Sequence, residues 1–267
     1  MFEGAPVPRL GFVPPLHDGG PAQPGAGERQ GGDVLGRAIH SPDNISDAAS
    51  TFDLEAERYD GWFDTPDGRI LFENELAAIR LLWRDEFRPA LEVGVGTGRF
   101  AQALGVESGI DPAAGALRLA ERRGIKVKLA RGEALPFSDG TFGGVLMIAT
   151  LCFAEDAPAL FREAARVLRA DGWLVVGDIP ADSSWGQEYR RKKEAGHPFY
   201  RSARFYTVEQ LVTMLTETGF KTTGFTSTLT HSPLGPPRPE IPQMGLAGDA
   251  GFVVILAGKA GGCSGAA

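Results

Sequence analysis

From residue 90 to residue 178, short apolar runs alternate with stretches of helical spacing. That alternation predicts a mostly parallel sheet with helices on both faces. The expected strands are Ala90–Val93 and residues 105–110, 125–129, 144–148 and 173–176, followed by two closing strands at 222–229 and 252–256. Upstream, residues 44–87 carry an amphipathic helical pattern. The aromatics Phe52, Tyr59, Trp62 and Phe63 come first, then an apolar face of Ile70, Leu71, Leu76, Ile79, Leu82 and Trp83. Late in the chain, 187–193 reads as a charged helix. A second helix over 208–218 has Thr207 as its N-cap and Gly219 as its stop. The Pro/Gly-rich stretch 232–249 reads as a long loop.

The ends add little to a core. Residues 1–40 are rich in Gly and Pro and read as a flexible extension, and 260–267 read as a flexible tail. The folded unit is therefore expected to be one domain, 45–259, with a helical N-terminal lid over about 45–87. With 43% hydrophobic residues, including 16 Phe and 4 Trp, it has ample material for a core.

A net charge of -7 disfavours nonspecific attachment to nucleic acid. The run Arg190-Arg191-Lys192-Lys193 reads first as a solvated or paired helix face. Two cysteines, Cys152 and Cys263, give neither a disulfide framework nor a metal-ligand spacing, so no metal and a cytoplasmic setting are expected. No apolar run approaches the roughly 20 residues needed to cross a bilayer. The first residues do not read as a signal peptide.

The strongest local signal is Leu91-Glu92-Val93-Gly94-Val95-Gly96-Thr97-Gly98-Arg99-Phe100. A strand ends in an acidic residue, alternating glycines follow, and a helix begins. Glycines allow a tight turn and let a ligand approach the backbone. The dinucleotide spacing G-x-G-x-x-G fails because Arg99 stands at its third position, and no Gly-Lys-Ser/Thr is present for a triphosphate loop. Asp111 follows Gly109-Ile110 at the interval where a second-strand acid meets a ribose. It also suits a helix start before Pro112.

The glycine loop resembles motif I of class I S-adenosylmethionine (SAM)-dependent methyltransferases. With the landmarks after it, the resemblance covers about residues 50–225 and is closest to the small-molecule, menaquinone-type (methyltransferase type 11) kind. It implies a Rossmann-like α/β fold with a mostly parallel seven-stranded sheet. It also implies SAM as cofactor, with S-adenosylhomocysteine (SAH) released. By that resemblance Glu92, Gly94 and Gly96 support the methionine part and ribose, and Asp111 binds the ribose. Arg131, Gly132 and Glu133 lie at the adenine, and Leu151 borders the cofactor. Tyr59, in Ala56-Glu57-Arg58-Tyr59-Asp60, resembles the lid tyrosine that reaches the methionine carboxylate. Two positions depart from the pattern: Arg131 stands where an acid often holds the adenine amine, and Gly143 where Asp is common. Arg166, in Arg166-Val167-Leu168, is expected to brace the fold.

For this class the enzyme mainly aligns the acceptor with the methyl group and excludes water. An oxygen or amine acceptor also calls for a base. The candidates cluster after the fifth strand: Glu194, His197, Tyr200 and Tyr206, of which His197 and Tyr200 are the catalytic choices. Trp62, Cys152, Phe153, His197, Tyr200 and Tyr206 are the expected pocket wall. The acceptor is expected to be a small molecule. An RNA or protein acceptor, or a catalytically silent SAM-binding scaffold, are the competing readings. Oligomeric state and the atom methylated are not encoded in any motif.

Overall fold

A computed structural model describes residues 47–260; the expected extension 1–40, the tail from 261 and Cys263 lie outside the described residues. Eight strands form one sheet in the order β3-β2-β1-β4-β5-β8-β6-β7. They are β1 (Ala90–Val93), β2 (Ser108–Asp111), β3 (Lys126–Leu129), β4 (Phe142–Ile148), β5 (Leu168–Asp178), β6 (Phe220–Thr228), β7 (Gln243–Met244) and β8 (Phe252–Lys259). Strands β1 to β5 pair in parallel, while β8 is antiparallel to both β5 and β6. The expected seven strands become eight. The two-residue β7, inside the stretch read as loop, pairs Gln243 with Ser227 and Met244 with Thr226. No apolar run announces it, because both of its residues are exposed.

Alternation along the central strands sends side chains to two faces. On one face Leu146, Ile148, Val175 and Val254 pack with Leu71, Ile79, Trp185 and Tyr189. On the other, Val145, Met147, Leu174 and Val176 pack with Leu160, Phe161, Leu211 and Leu215. The helices are α1 (Asp47–Leu54), α2 (Ala56–Trp62), α3 (Pro66–Arg80), α4 (Arg99–Leu104), α5 (Ala114–Arg122), α6 (Ala157–Val167), α7 (Ser184–Glu194) and α8 (Val208–Glu217).

Helix starts follow the side-chain chemistry. The Thr65 hydroxyl accepts from Gly68 N, and the Asp156 carboxylate from Ala159 N. Thr207 and Gln210 form a reciprocal capping box at α8, as its sequence predicts. Arg166 also does what was expected of it. Its guanidinium joins Glu163 and Asp139 to the carbonyls of Leu135 and Phe137, tying α6 to the segment after β3.

Chain order matters for the site. The chain moves outward through β1, β2 and β3, then returns to place β4 on the other side of β1. Ligands of open α/β sheets bind at such a reversal, beyond the carboxyl ends of the strands.

Candidate functional site

The glycine loop leaves the carboxyl end of β1 at that reversal. Gly94 N and Val95 N both donate to the Ile110 carbonyl at 2.9 Å, which pins the loop to β2. The three glycines serve different ends. A Cβ on Gly94 (φ +73°) would lie 2.4 Å from Thr150 Oγ1, and one on Gly98 2.9 Å from the Ala120 backbone. A Cβ on Gly96 (φ +51°) would meet nothing within 4 Å. Gly94 and Gly98 are thus required by the protein's own packing, whereas Gly96 opens onto free space.

Asp111 faces that opening from the end of β2. Its Oδ2 accepts from Gly96 N at 2.9 Å and its Oδ1 from Ala113 N at 2.8 Å. Burial raises its pKa to about 6, although those two amides pull the other way. Glu92 is 2% exposed, and its Oε2 has no hydrogen-bond partner. Burial pushes this carboxyl well above the usual range. The Ala101 amide opposes the rise and Asp111 adds to it. A cation brought to Oε2 would reverse that penalty. An ammonium at Glu92, a diol at Asp111 and a ligand passing over Gly96 match the donor and acceptor needs of SAM.

The lid is fastened over this loop by charge. Asp60 Oδ1 accepts from Arg99 Nε at 2.8 Å. Its Oδ2 accepts from Arg99 Nη2 at 2.9 Å and Arg123 Nη2 at 2.8 Å. Arg99 begins α4 directly after the glycine loop, so α2 is latched to the loop's own helix. Asp53 of α1 accepts from Gly115 N at the start of α5. Tyr59 lies between these anchors, edge-on to Phe52 and Phe63 at 5.3 Å. Burial raises its hydroxyl pKa, and the charges of Glu75, Asp111 and Cys152 add to the rise. The Tyr59 hydroxyl therefore lies in electrostatic reach of both Asp111 and Cys152.

Around the expected adenine edge, Arg131 is engaged. It pairs with Glu155 at 2.8 Å and Glu133 at 3.4 Å, and Glu133 Oε1 accepts from Glu155 N at 3.0 Å. Gly132 is closed in by Leu160 and Val93. The Leu151 side chain is buried in the core with Val93 and Leu160, while its neighbour Thr150 touches the glycine loop at Gly94.

Just beyond the end of β4, Cys152 is buried, with Sγ 3.4 Å from the Ala149 carbonyl. Burial raises its thiol pKa, and Asp178 raises it further. Phe153 is edge-on to Phe52 at 5.2 Å, and Trp62 belongs to the core beside Phe63. Tyr200 is 3% exposed, its ring is 4.8 Å from both Tyr189 and His197, and its hydroxyl and that of Tyr189 act on each other. Burial, then Lys192 and Arg58, lower the His197 pKa to about 4, so the imidazole is neutral at pH 7. Tyr206 is half-buried and packs on the core of the other sheet face, where Asp178 and Cys152 both act on its hydroxyl. Tyr200, His197 and Phe153 stand with the aromatic rings of the lid, and Cys152 belongs to the same core cluster.

Sequence reasoning missed Glu75, Asp178 and Tyr189. Asp178 ends the run Trp173–Gly177 as Asp111 ends its own, and burial raises its pKa to about 7. Glu75 interrupts the apolar stripe of α3. A groove of about 530 Å³ between the lid and α5 is lined by Asp53, Arg58, Gly115 and Arg118, among others. It shares no residue with the glycine loop or the ends of β1 and β4, so it is not the cofactor crevice. Among the described residues no His/Cys/Asp/Glu group is arranged for a metal, and no helix is long and apolar enough to cross a membrane.

Comparison with known proteins places this geometry. Residues 91–176 match the methyltransferase domain family. An uncharacterized protein of Mycobacterium tuberculosis is 44% identical over 81% of this chain and 76% of its own length. An uncharacterized protein of Methanocaldococcus jannaschii is 37% identical over 79% of this chain and 99% of its own. A crystal structure from Thermotoga maritima superposes with a TM-score of 0.73 at 33% identity, covering 79% of this chain and 99% of that one. It is described as a SAM-dependent methyltransferase, possible histamine N-methyltransferase. This chain belongs to the class I SAM-dependent methyltransferases. It is an enzyme of methyl transfer with the Rossmann-like α/β fold.

Proposed function

We propose that the crevice over Gly96 binds SAM and that the protein methylates a small-molecule acceptor brought in between the lid and the end of β4. The observation that carries the reading is Asp111. Its two oxygens are fixed by Gly96 N and Ala113 N beside the one loop glycine whose Cβ direction is open. Its remaining lone pairs suit two adjacent ribose hydroxyls. Glu92 Oε2 is the site for the ligand ammonium, and the Tyr59 hydroxyl is the donor for the methionine carboxylate. SAM, when bound, supplies a methyl group on a positively charged sulfur. The lid and the rings of Tyr59, Phe52 and Phe199 exclude water, and Cys152 and Tyr200 line the acceptor's approach.

Tyr200 is better suited to orient an acceptor than to take its proton, since burial and the nearby Tyr189 keep its hydroxyl protonated. With a pKa of about 4, His197 is a weak base at neutral pH. A cytoplasmic enzyme acting on a small molecule fits the buried, unpaired Cys152. The Thermotoga relative puts small amines on the acceptor list to be screened. Calorimetric titration with SAH, with NADH as control, tests the cofactor. Micromolar SAH binding that Asp111→Asn weakens at least tenfold is expected. Absence of SAH binding would overturn the assignment. Labelled methyl transfer to RNA or protein but to no small molecule would favour the competing acceptor class.

A further inference from the structure

Among the described residues three that are not glycine carry a positive φ: Ala149, Leu229 and Asp249. Leu229 and Asp249 bracket the long loop between β6 and β8. Ala149 stands elsewhere, directly after β4, with φ +48°. An L-residue in that region is strained, and such strain persists only where the surroundings over-determine it. Here they do. Ala149 N donates to the Gly177 carbonyl of β5 at 2.8 Å, and the Ala149 carbonyl accepts from Cys152 Sγ at 3.4 Å. The effect of the strained turn is to fold the next side chain, Thr150, back onto β1.

Thr150 Oγ1 lies 3.1 Å from the Val93 carbonyl and 3.0 Å from the Ile148 carbonyl. These are the last residues of β1 and β4, so one hydroxyl proton bridges the ends of both strands. The register between the strands runs from Ala90↔Gly144 to Glu92↔Leu146. Thr150 joins them just beyond it, where β1 turns into the glycine loop. Its side chain also covers the first glycine: a Cβ on Gly94 would lie 2.4 Å from Thr150 Oγ1 and 2.5 Å from Cγ2. On the β2 side the loop is held by the Ile110 carbonyl, which takes the amides of Gly94 and Val95. The loop is thus seated between β2 and Thr150, with the Cβ direction of Gly96 left open.

The same turn also carries the segment after α7. Arg204 N donates to the Cys152 carbonyl at 2.7 Å, and Arg204 Nη1 to the Glu155 carbonyl at 2.8 Å. Ala203 N in turn donates to the Tyr200 carbonyl at 2.8 Å. Residues 149–155 therefore touch the glycine loop at one end and the segment of His197 and Tyr200 at the other. A hydroxyl placed for stability alone needs no strained residue before it.

We propose that Thr150 is a positioning residue for methyl transfer: its hydroxyl fixes the glycine loop against the turn that carries segment 197–206. It thereby sets the cofactor's methyl group relative to the acceptor's approach. The proposal rests on the cofactor reading above and deepens it. Methyl transfer is sensitive to such placement, since a misplacement of about 1 Å can cost on the order of 100-fold. Serine at this position keeps the hydroxyl. Alanine leaves the two carbonyls unbridged, and valine sets a methyl group against both.

The test uses the full-length protein as wild type, Thr150→Ser, Thr150→Ala and Thr150→Val. It is read by calorimetric titration with SAH, thermal unfolding and amide hydrogen exchange. Thr150→Ala and Thr150→Val are expected to weaken SAH binding about tenfold, the worth of one hydrogen bond, and Thr150→Ser less than about threefold. SAH should slow exchange across residues 197–206 in wild type and Thr150→Ser, and not in Thr150→Ala. Equal SAH affinity in all four proteins would overturn the proposal, because a merely structural hydroxyl lowers the Tm without moving the affinity of the folded protein. So would Thr150→Ser binding as weakly as Thr150→Ala, which would assign the effect to the lost methyl group. Exchange across 197–206 that ignores SAH in wild type would overturn it too. Wild type that binds no SAH would instead sink the cofactor reading, and this proposal with it. If Thr150→Val does not unfold cooperatively, Thr150→Ala decides, since it removes the hydroxyl without crowding the carbonyls.

Discussion

Asn in place of Asp60 would cut the latch between the lid and the glycine loop with little change of shape. Asp60 is 14% exposed, Arg99 16% and Arg123 19% as side chains, so solvent screens these bonds only in part. Burial by itself would raise the Asp60 pKa, but the hydrogen bonds from Arg99 and Arg123 outweigh it and bring the value from 3.8 to about 2. That displacement corresponds to roughly 2 kcal/mol of folding free energy. Leaving two guanidiniums partly buried without their carboxylate adds to the loss, for a total of about 2–4 kcal/mol. The second pair, Arg99 with Asp64, lies in solvent at 67% exposure for Asp64 and offers little compensation.

In thermal unfolding Asp60→Asn should therefore lower the Tm by roughly 5–10 °C for a domain of this size. Because Arg99 starts the helix after the loop, SAH affinity should fall about tenfold as well. A double-mutant cycle with Arg99→Gln should show strong coupling rather than additivity. The pH dependence has a fixed sign. Asp60 is depressed in the folded state, so its contribution is complete above the unfolded value near 4 and is lost as pH falls through about 2. Urea titrations at pH 6 and pH 3 should show the gap between wild type and variant shrinking at the lower pH. A variant with unchanged Tm and SAH affinity, or a gap that widens in acid, would refute the latch.

Asp111 carries the opposite sign. Burial lifts it to about 6, so in the unliganded protein its contribution to stability is fullest below about pH 4 and is lost as pH rises through 6. The ionised form is the one that accepts from a diol, so SAH affinity of wild type should fall as pH drops through 6, with Asp111→Asn showing a flat, weaker profile by calorimetry. Gly94→Ala should cost about 2–4 kcal/mol, combining a positive φ with a Cβ driven into Thr150, measurable by chemical denaturation. Gly143→Asp, which restores the residue common in relatives, should destabilise by about 1–3 kcal/mol. Its Cβ would sit 3.0 Å from the Phe87 carbonyl oxygen and 3.1 Å from that of Arg88, so the added carboxylate starts beside two acceptors.

The parts of this protein legible in its sequence are those set by neighbours along the chain. Strand β1 falls at Ala90–Val93 as expected, because four apolar-flanked residues run directly into a glycine turn. The α8 capping box is written in Thr207 and Gln210, three residues apart. Asp111 was legible for the same reason, as an acid at the end of a short apolar run. Boundaries drifted where burial rather than pattern decides. Strand β5 begins at Leu168, ahead of its apolar run, because Leu168 pairs with Phe142 of β4 before a register shift, and it runs on to Asp178 through pairing with β8. Strand β7 was illegible, since two exposed residues in a Pro/Gly-rich stretch pair only once β6 is in place.

The site follows the same division, and that bears on where its chemistry should be sought. Tyr59 and Asp60 were visible as a pair. That Asp60 holds Arg99 and Arg123, 39 and 63 residues away, was not, because no spacing rule links a lid helix to α4 and α5. His197 and Tyr206 drew attention as polar residues among aromatics. Folding leaves His197 with a depressed pKa and packs the Tyr206 ring on the other core cluster, within electrostatic reach of Asp178 and Cys152. Glu75 drew none, because one acid among the three of a long amphipathic helix, with Asp67 and Glu73, reads as surface until the helix is docked. Once α3 lies against the central sheet, its face of Leu71, Ala78 and Ile79 is fixed inward, and Glu75 has to be inward with them. The informative sequence signal was the break in the stripe rather than any motif. In the function proposed above, the cofactor residues of the glycine loop and β2 are local and legible, whereas Tyr59 and the acceptor walls come together only when the lid docks. Swapping the acceptor walls while keeping the glycine loop should therefore change what is methylated without changing how SAM is held.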